Sequence, residues 1–77
     1  MRVRLHAGLR SYLPADATDN FVEIEVPAGA TAATVARALG IPDGFAGVAF
    51  ARGEKCDMRA PLRPDDELDL FPPLAGG

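Results

Sequence analysis

Only one stretch of this chain, Ala32 to Leu39, carries apolar residues at helical spacing over a useful length, and that restricts the fold more than any other feature. Ala32, Val35, Ala36 and Leu39 fall at i, i+3, i+4 and i+7, an apolar stripe that needs a surface to cover. Thr31 ahead of it can accept from the orphan amides of a first turn, and Gly40 behind it suits the left-handed position past a helix end. Elsewhere the apolar residues alternate. Met1, Val3, Leu5 and Ala7 face one side against Arg2, Arg4 and His6, and Val22, Ile24 and Val26 alternate with Glu23 and Glu25. Val48 to Ala51, a short segment near Lys55 to Met58, and Glu67 to Phe71 with Leu68 and Leu70 inward read as further strands. One helix among several half-buried strands buries its stripe only on the shared apolar face of a sheet. The expected class is therefore α+β, one main helix packed on a mixed four- to five-stranded sheet.

Between these elements, Leu9, Tyr12 and Leu13 predict a short helical turn stopped by Pro14, and the polar connection after it predicts an antiparallel first pair of strands. Leu62 is expected to plug the core, and Arg63-Pro64-Asp65-Asp66 has proline where a type I turn wants it. Pro72-Pro73 ends ladder pairing because neither residue has an amide hydrogen. The chain thus divides into a domain over 1–71 and a flexible tail over 72–77.

Composition narrows the function. At 77 residues the chain is one domain, too small to enclose an active site. Its net charge of -3, with the acidic side chains clustered, opposes the counterion-release binding of nucleic acid and suits a partner with a basic groove. Cys56 is the single cysteine, and Met1-Arg2-Val3-Arg4 lacks the apolar run of a signal peptide or membrane span, so a reducing cytoplasm and no membrane contact are expected. His6 reads as a solvated strand residue and not a metal ligand, because no second His exists to converge with it; no metal site is expected. Asp65, Asp66, Glu67 and Asp69 read as a solvated edge. Cys56 reads as an inert, partly buried thiol, the alternative being a reactive one if Lys55 lowers its pKa. No paired carboxylates, Ser/His/Asp set or phosphate-cradling Gly loop is present, so the chain is not expected to be an enzyme in its own right.

The order of elements, together with the ending Leu68-Asp69-Leu70-Phe71-Pro72-Pro73-Leu74-Ala75-Gly76-Gly77, resembles the ThiS/MoaD family of sulfur carriers over the whole chain. Val3-Arg4-Leu5 leading to Leu9-Arg10, the approach Pro27-Ala28-Gly29-Ala30-Thr31 to the helix, and Leu62 ahead of the Asp66 turn also match, whereas Asp65 stands where the family usually has Gly. The resemblance implies a ubiquitin-like β-grasp fold. It also implies that the Gly77 carboxylate is adenylated by a ubiquitin-activating-type adenylyltransferase using ATP and magnesium, neither of them bound by this chain. Sulfide or a persulfide then displaces AMP and leaves a thiocarboxylate that donates sulfur. Within the family, Phe71-Pro72-Pro73 before a small-residue Gly-Gly end looks most like the small subunit of molybdopterin synthase, which implies the large subunit of that enzyme as partner and molybdenum cofactor biosynthesis as pathway. Another acceptor enzyme (thiamine thiazole, cysteine, tungsten cofactor or a thio-natural product) and a ubiquitin-like protein modifier are the alternatives.

The tail residues suit that role physically. Six residues, Pro72 to Gly77, extend at most roughly 20 Å, enough to thread into a partner's active site. Gly76 and Gly77 lack Cβ and Ala75 adds little bulk, so the tip is slim. Ordering a free backbone costs on the order of 1 to 2 kcal/mol per residue, and Pro72-Pro73 lowers that cost by pre-extending the base. Phe71 and Leu74 are candidate anchors on a partner's apolar surface. Phe71 suits core packing equally well.

Overall fold

The computed structural model describes residues 1–15, 17 and 19–73. Along the chain run β1 (Arg2–Leu5), a 3₁₀ helix (Ala7–Tyr12), β2 (Phe21–Glu23), α1 (Ala32–Ala38), β3 (Val48–Ala51), β4 (Glu54–Cys56) and β5 (Glu67–Phe71). The strands form one sheet in the order β2-β1-β5-β3-β4. β1 and β5 run parallel, Val3 opposite Leu68 and Leu5 opposite Leu70, and the other neighbours are antiparallel. This is the expected α+β arrangement, a ubiquitin-like β-grasp with five strands.

The last strand in sequence is the central strand in space. β5 bonds to β1 on one side and β3 on the other, and its Leu68 and Leu70 are fully buried beneath α1. Around them Val3, Leu5, Leu9, Ala32, Val35, Ala36, Ile41, Ala49 and Leu62 close the core, with Leu39 half-buried at its margin. Leu62 is the plug its position predicts.

At seven residues, α1 is too short to persist alone and depends on this packing and on its two ends. Thr31 and Thr34 cap it reciprocally: the Thr34 amide donates to Thr31 Oγ1 at 3.2 Å, and the Thr31 amide to Thr34 Oγ1 at 2.8 Å. A third early amide, that of Ala33, donates to the Met58 carbonyl at 3.0 Å. At the other end Gly40 takes φ 84°, its amide bonds Arg37 and the Ile41 amide bonds Ala36, which completes a Schellman motif with buried Ile41 as the apolar seal.

Several local expectations are corrected. Ala7 is exposed with φ 54° because the strand ends at Leu5 and the chain turns into the 3₁₀ helix. β2 ends at Glu23, opposite Arg2, beyond which Ile24 still exchanges hydrogen bonds with Met1 at 2.9 and 3.0 Å and, with Val26, packs against the core. β4 lies earlier than expected, at Glu54–Cys56, because Arg52 and Gly53 with φ of 53° and 81° form a two-residue hairpin turn whose twist matches the strands. The turn ahead of β5 closes as predicted, Asp66 N–H donating to the Arg63 carbonyl at 3.0 Å. Asp65 is not in the left-handed region, so nothing there demands Gly.

Candidate functional site

The acidic set is a solvated edge only at Asp65 and Glu67; Asp66 and Asp69 are drawn into the fold. Because β5 is central, alternate residues point to the helix side and to the outer face, and the outer set Glu67, Asp69 and Phe71 meets side chains from both neighbouring strands. Asp69 Oδ1 lies 2.9 Å from His6 Nε2 and 4.0 Å from Arg4 Nη1. Asp66, only 5% exposed, accepts the Arg63 amide at 3.0 Å and pairs with Arg52 Nε at 3.4 Å. It ties the β3–β4 turn to the start of β5. Asp65 and Glu67 alone of the four keep the exposed character expected of them.

Phe71, the last residue of β5, is half-buried on the outer face and outside the core beneath α1. Its ring stacks on His6 at 4.2 Å, nearly parallel, and meets the edge of Phe50 at 5.7 Å. His6 is therefore more than a solvated strand residue: it bridges Asp69 and Phe71. On the other side Val48, Phe50, Lys55 and Phe71 line a shallow apolar depression of about 400 Å³. Toward β2 the same face turns polar, where Arg2 lies over the Phe21 ring at 4.8 Å and within 3.5 Å of Glu23.

Past Phe71 the chain continues as Pro72, half-buried, and Pro73, exposed. Both line a groove of about 530 Å³ with Leu9, Tyr12, Gly44 and Phe45, and among the described residues Phe45 is the large apolar side chain most open to solvent, at 54%. Leu74, Ala75, Gly76 and Gly77 lie outside the described residues. Of the expected site, then, Phe71, Pro72 and Pro73 form a continuous surface. Sequence reasoning missed His6, Phe50 and Phe45 beside it. Period-two alternation already put His6 on the outer face, but its partners Asp69 and Phe71 follow only from the parallel β1–β5 register.

Cys56 stands apart, half-buried opposite Ala49, while Lys55 points to the outer face with Phe50. Burial, with Asp57 and Asp66 adding to it, pushes its thiol up in pKa, so the inert reading holds and Lys55 does not activate it.

A family model, that of the ThiS family, matches residues 13–77, five-sixths of the chain and all of it from the end of the 3₁₀ helix through the tail. The chain belongs to the ThiS family. No curated protein matches it. ThiS family proteins are small sulfur carriers, generally without catalysis of their own, that work with an adenylyltransferase and with sulfur-acceptor enzymes. This chain is accordingly a sulfur carrier protein, and its ThiS-type β-grasp domain sets Phe71-Pro72-Pro73 at the end of its central strand. No helix among the described residues is long and apolar enough to cross a membrane.

Proposed function

We propose that Gly77 carries the sulfur, that Phe71 to Gly76 guide it into partner enzymes, and that the acceptor is the large subunit of molybdopterin synthase. The supporting observation is that the central strand, bonded on both sides, leads straight into Phe71-Pro72-Pro73, so the tail is anchored in the most constrained element of the sheet. An activating enzyme transfers AMP from ATP to the Gly77 carboxylate with release of pyrophosphate. Sulfide then attacks the carbonyl carbon, AMP departs with the bonding electron pair, and a thiocarboxylate remains. This chain supplies no base and no metal to those steps. Its contribution is reach, slimness and a docking face.

Molybdopterin synthase is favoured over the other acceptors by the aromatic-Pro-Pro base, which places an apolar anchor directly ahead of a stiff spacer. The test is intact mass after incubation with ATP, magnesium, sulfide and a lysate of the host, then mixing with a molybdopterin synthase large subunit and its pterin substrate. We expect exchange of one oxygen for sulfur at Gly77 and formation of the dithiolene. A chain extended by one residue beyond Gly77 should fold normally and transfer nothing; normal transfer from it overturns the proposal. Sulfur gain without dithiolene formation leaves the carrier chemistry standing and excludes this acceptor.

A further inference from the structure

We infer that Gly47 sets the direction in which the tail leaves the domain, and that a glycine stands there because the backbone of Pro73 lies against it; this role rests on the proposed use of the tail. The ladder holding β5 ends at Phe71, whose carbonyl accepts the Gly47 amide at 3.0 Å. Neither Pro72 nor Pro73 has an amide to donate, so beyond Phe71 the tail base is positioned by packing. Gly47 is the part of that packing surface that lies against the Pro73 backbone. A Cβ built there lies 2.7 Å from Pro73 Cα, 2.7 Å from its Cβ and 3.1 Å from its N, closer than real side chains approach.

Among the described glycines, Gly47 alone is hemmed in this way. Gly8, Gly29, Gly40, Gly44 and Gly53 have nothing within 4 Å of such an atom. Gly47 also has no left-handed φ, so its backbone tolerates any L-residue and the constraint is purely one of space. A methyl group must push Pro73 away by about 0.7 Å to reach the 3.4 Å of ordinary contact. The locked φ of proline leaves that movement to a tilt of the tail base. Over one Cα step of about 3.8 Å the tilt is roughly 10°, which re-aims the base from which the rest of the tail starts. An error of about 1 Å in a reacting group can cost up to about a hundredfold in rate. Gly47 is thus a positioning residue, acting through Pro73 and touching no reacting atom.

The test has two arms. In the first, nuclear Overhauser contacts between the Gly47 α-protons and the Pro73 Cα and Cβ protons are sought in the free protein; their absence overturns the inference whatever the chemistry of the tail. In the second, the initial rate of oxygen-for-sulfur exchange is followed against carrier concentration with ATP, magnesium, sulfide and host lysate. Gly47→Ala should lower the maximal rate about tenfold while leaving the half-saturating concentration and the melting temperature near the parent's. Gly8→Ala, a methyl in open space beside the same groove, should match the parent. Pro73→Gly lets residue 73 move aside, so adding Gly47→Ala to it should cost nothing further. A folded Gly47→Ala modified at the parent rate, or an equal loss in the Pro73→Gly background, overturns the role. Should Gly47→Ala not fold, Pro73→Gly alone decides: a lower maximal rate supports the contact and an unchanged rate overturns it. A parent chain that never gains sulfur while a control carrier does removes the carrier reading and this role with it.

Discussion

Cys56 and Asp66 show how far a single residue's behaviour depends on its neighbours here. The Cys56 thiol is raised in pKa by burial first and by the carboxylates of Asp57 and Asp66 next, so the folded state prefers the protonated form more than the unfolded chain does. Its contribution to stability is therefore complete below the ordinary thiol pKa and disappears as pH rises through the higher folded value. Urea unfolding of the parent between neutral pH and pH above the ordinary thiol range should show a stability loss that Cys56→Ala lacks. Parallel pH profiles for the two proteins would refute this account. Asp66 is likewise defined by its neighbours, a buried carboxylate partnered by the Arg63 amide and the Arg52 guanidinium.

Among the elements, α1 is the most exposed to damage at its ends. Seven residues hold too few internal hydrogen bonds to offset the nucleation cost, and Thr31 contributes both halves of its N-terminal closure through Thr34. Thr31→Ala removes the side-chain acceptor for the Thr34 amide and should cost about 1 kcal/mol, a melting temperature lower by about 4 to 8 °C for a domain of this size. Thermal unfolding followed by circular dichroism reads it directly. Thr31→Ser keeps the acceptor and should recover most of the loss. The β3–β4 hairpin is fastened differently, by the Arg52-Gly53 turn and by Asp66 from the next loop.

For the whole molecule, the decisive feature is that one strand serves both the core and the tail. Leu70 is fully buried under α1, and the next residue, Phe71, opens onto the outer face and leads to Pro72. Leu70→Ala should destabilise by about 2 to 5 kcal/mol, a large share of the roughly 5 to 15 kcal/mol that holds a typical small domain together. Chemical denaturation should show it as a lower midpoint with little change in slope. Removing Gly76 and Gly77 should leave that midpoint at the parent value, because the core is closed by residues between Val3 and Leu70. The two outcomes together separate folding from carrying.

Much of the fold was legible in the chain because its signals are local. Period-two runs marked the strands, the single 3.6-period stripe with Thr31 and Gly40 marked the helix, and Leu62 and the Arg63–Asp66 turn were read in place. Resemblance in the last ten residues carried the family. Strand order was not legible, since neighbours in a sheet are chosen by which apolar faces α1 can cover together, a property of the assembled layers. The central position of β5 follows from that choice. From it follow in turn the pairing of Asp69 with His6, the burial of Asp66, the stacking of Phe71 on the outer face and the approach of Pro73 to Gly47. Each joins residues more than twenty positions apart or turns a surface charge inward. Alternation along the chain determines only which face a residue occupies; what it meets there is decided by the register of the strand beside it.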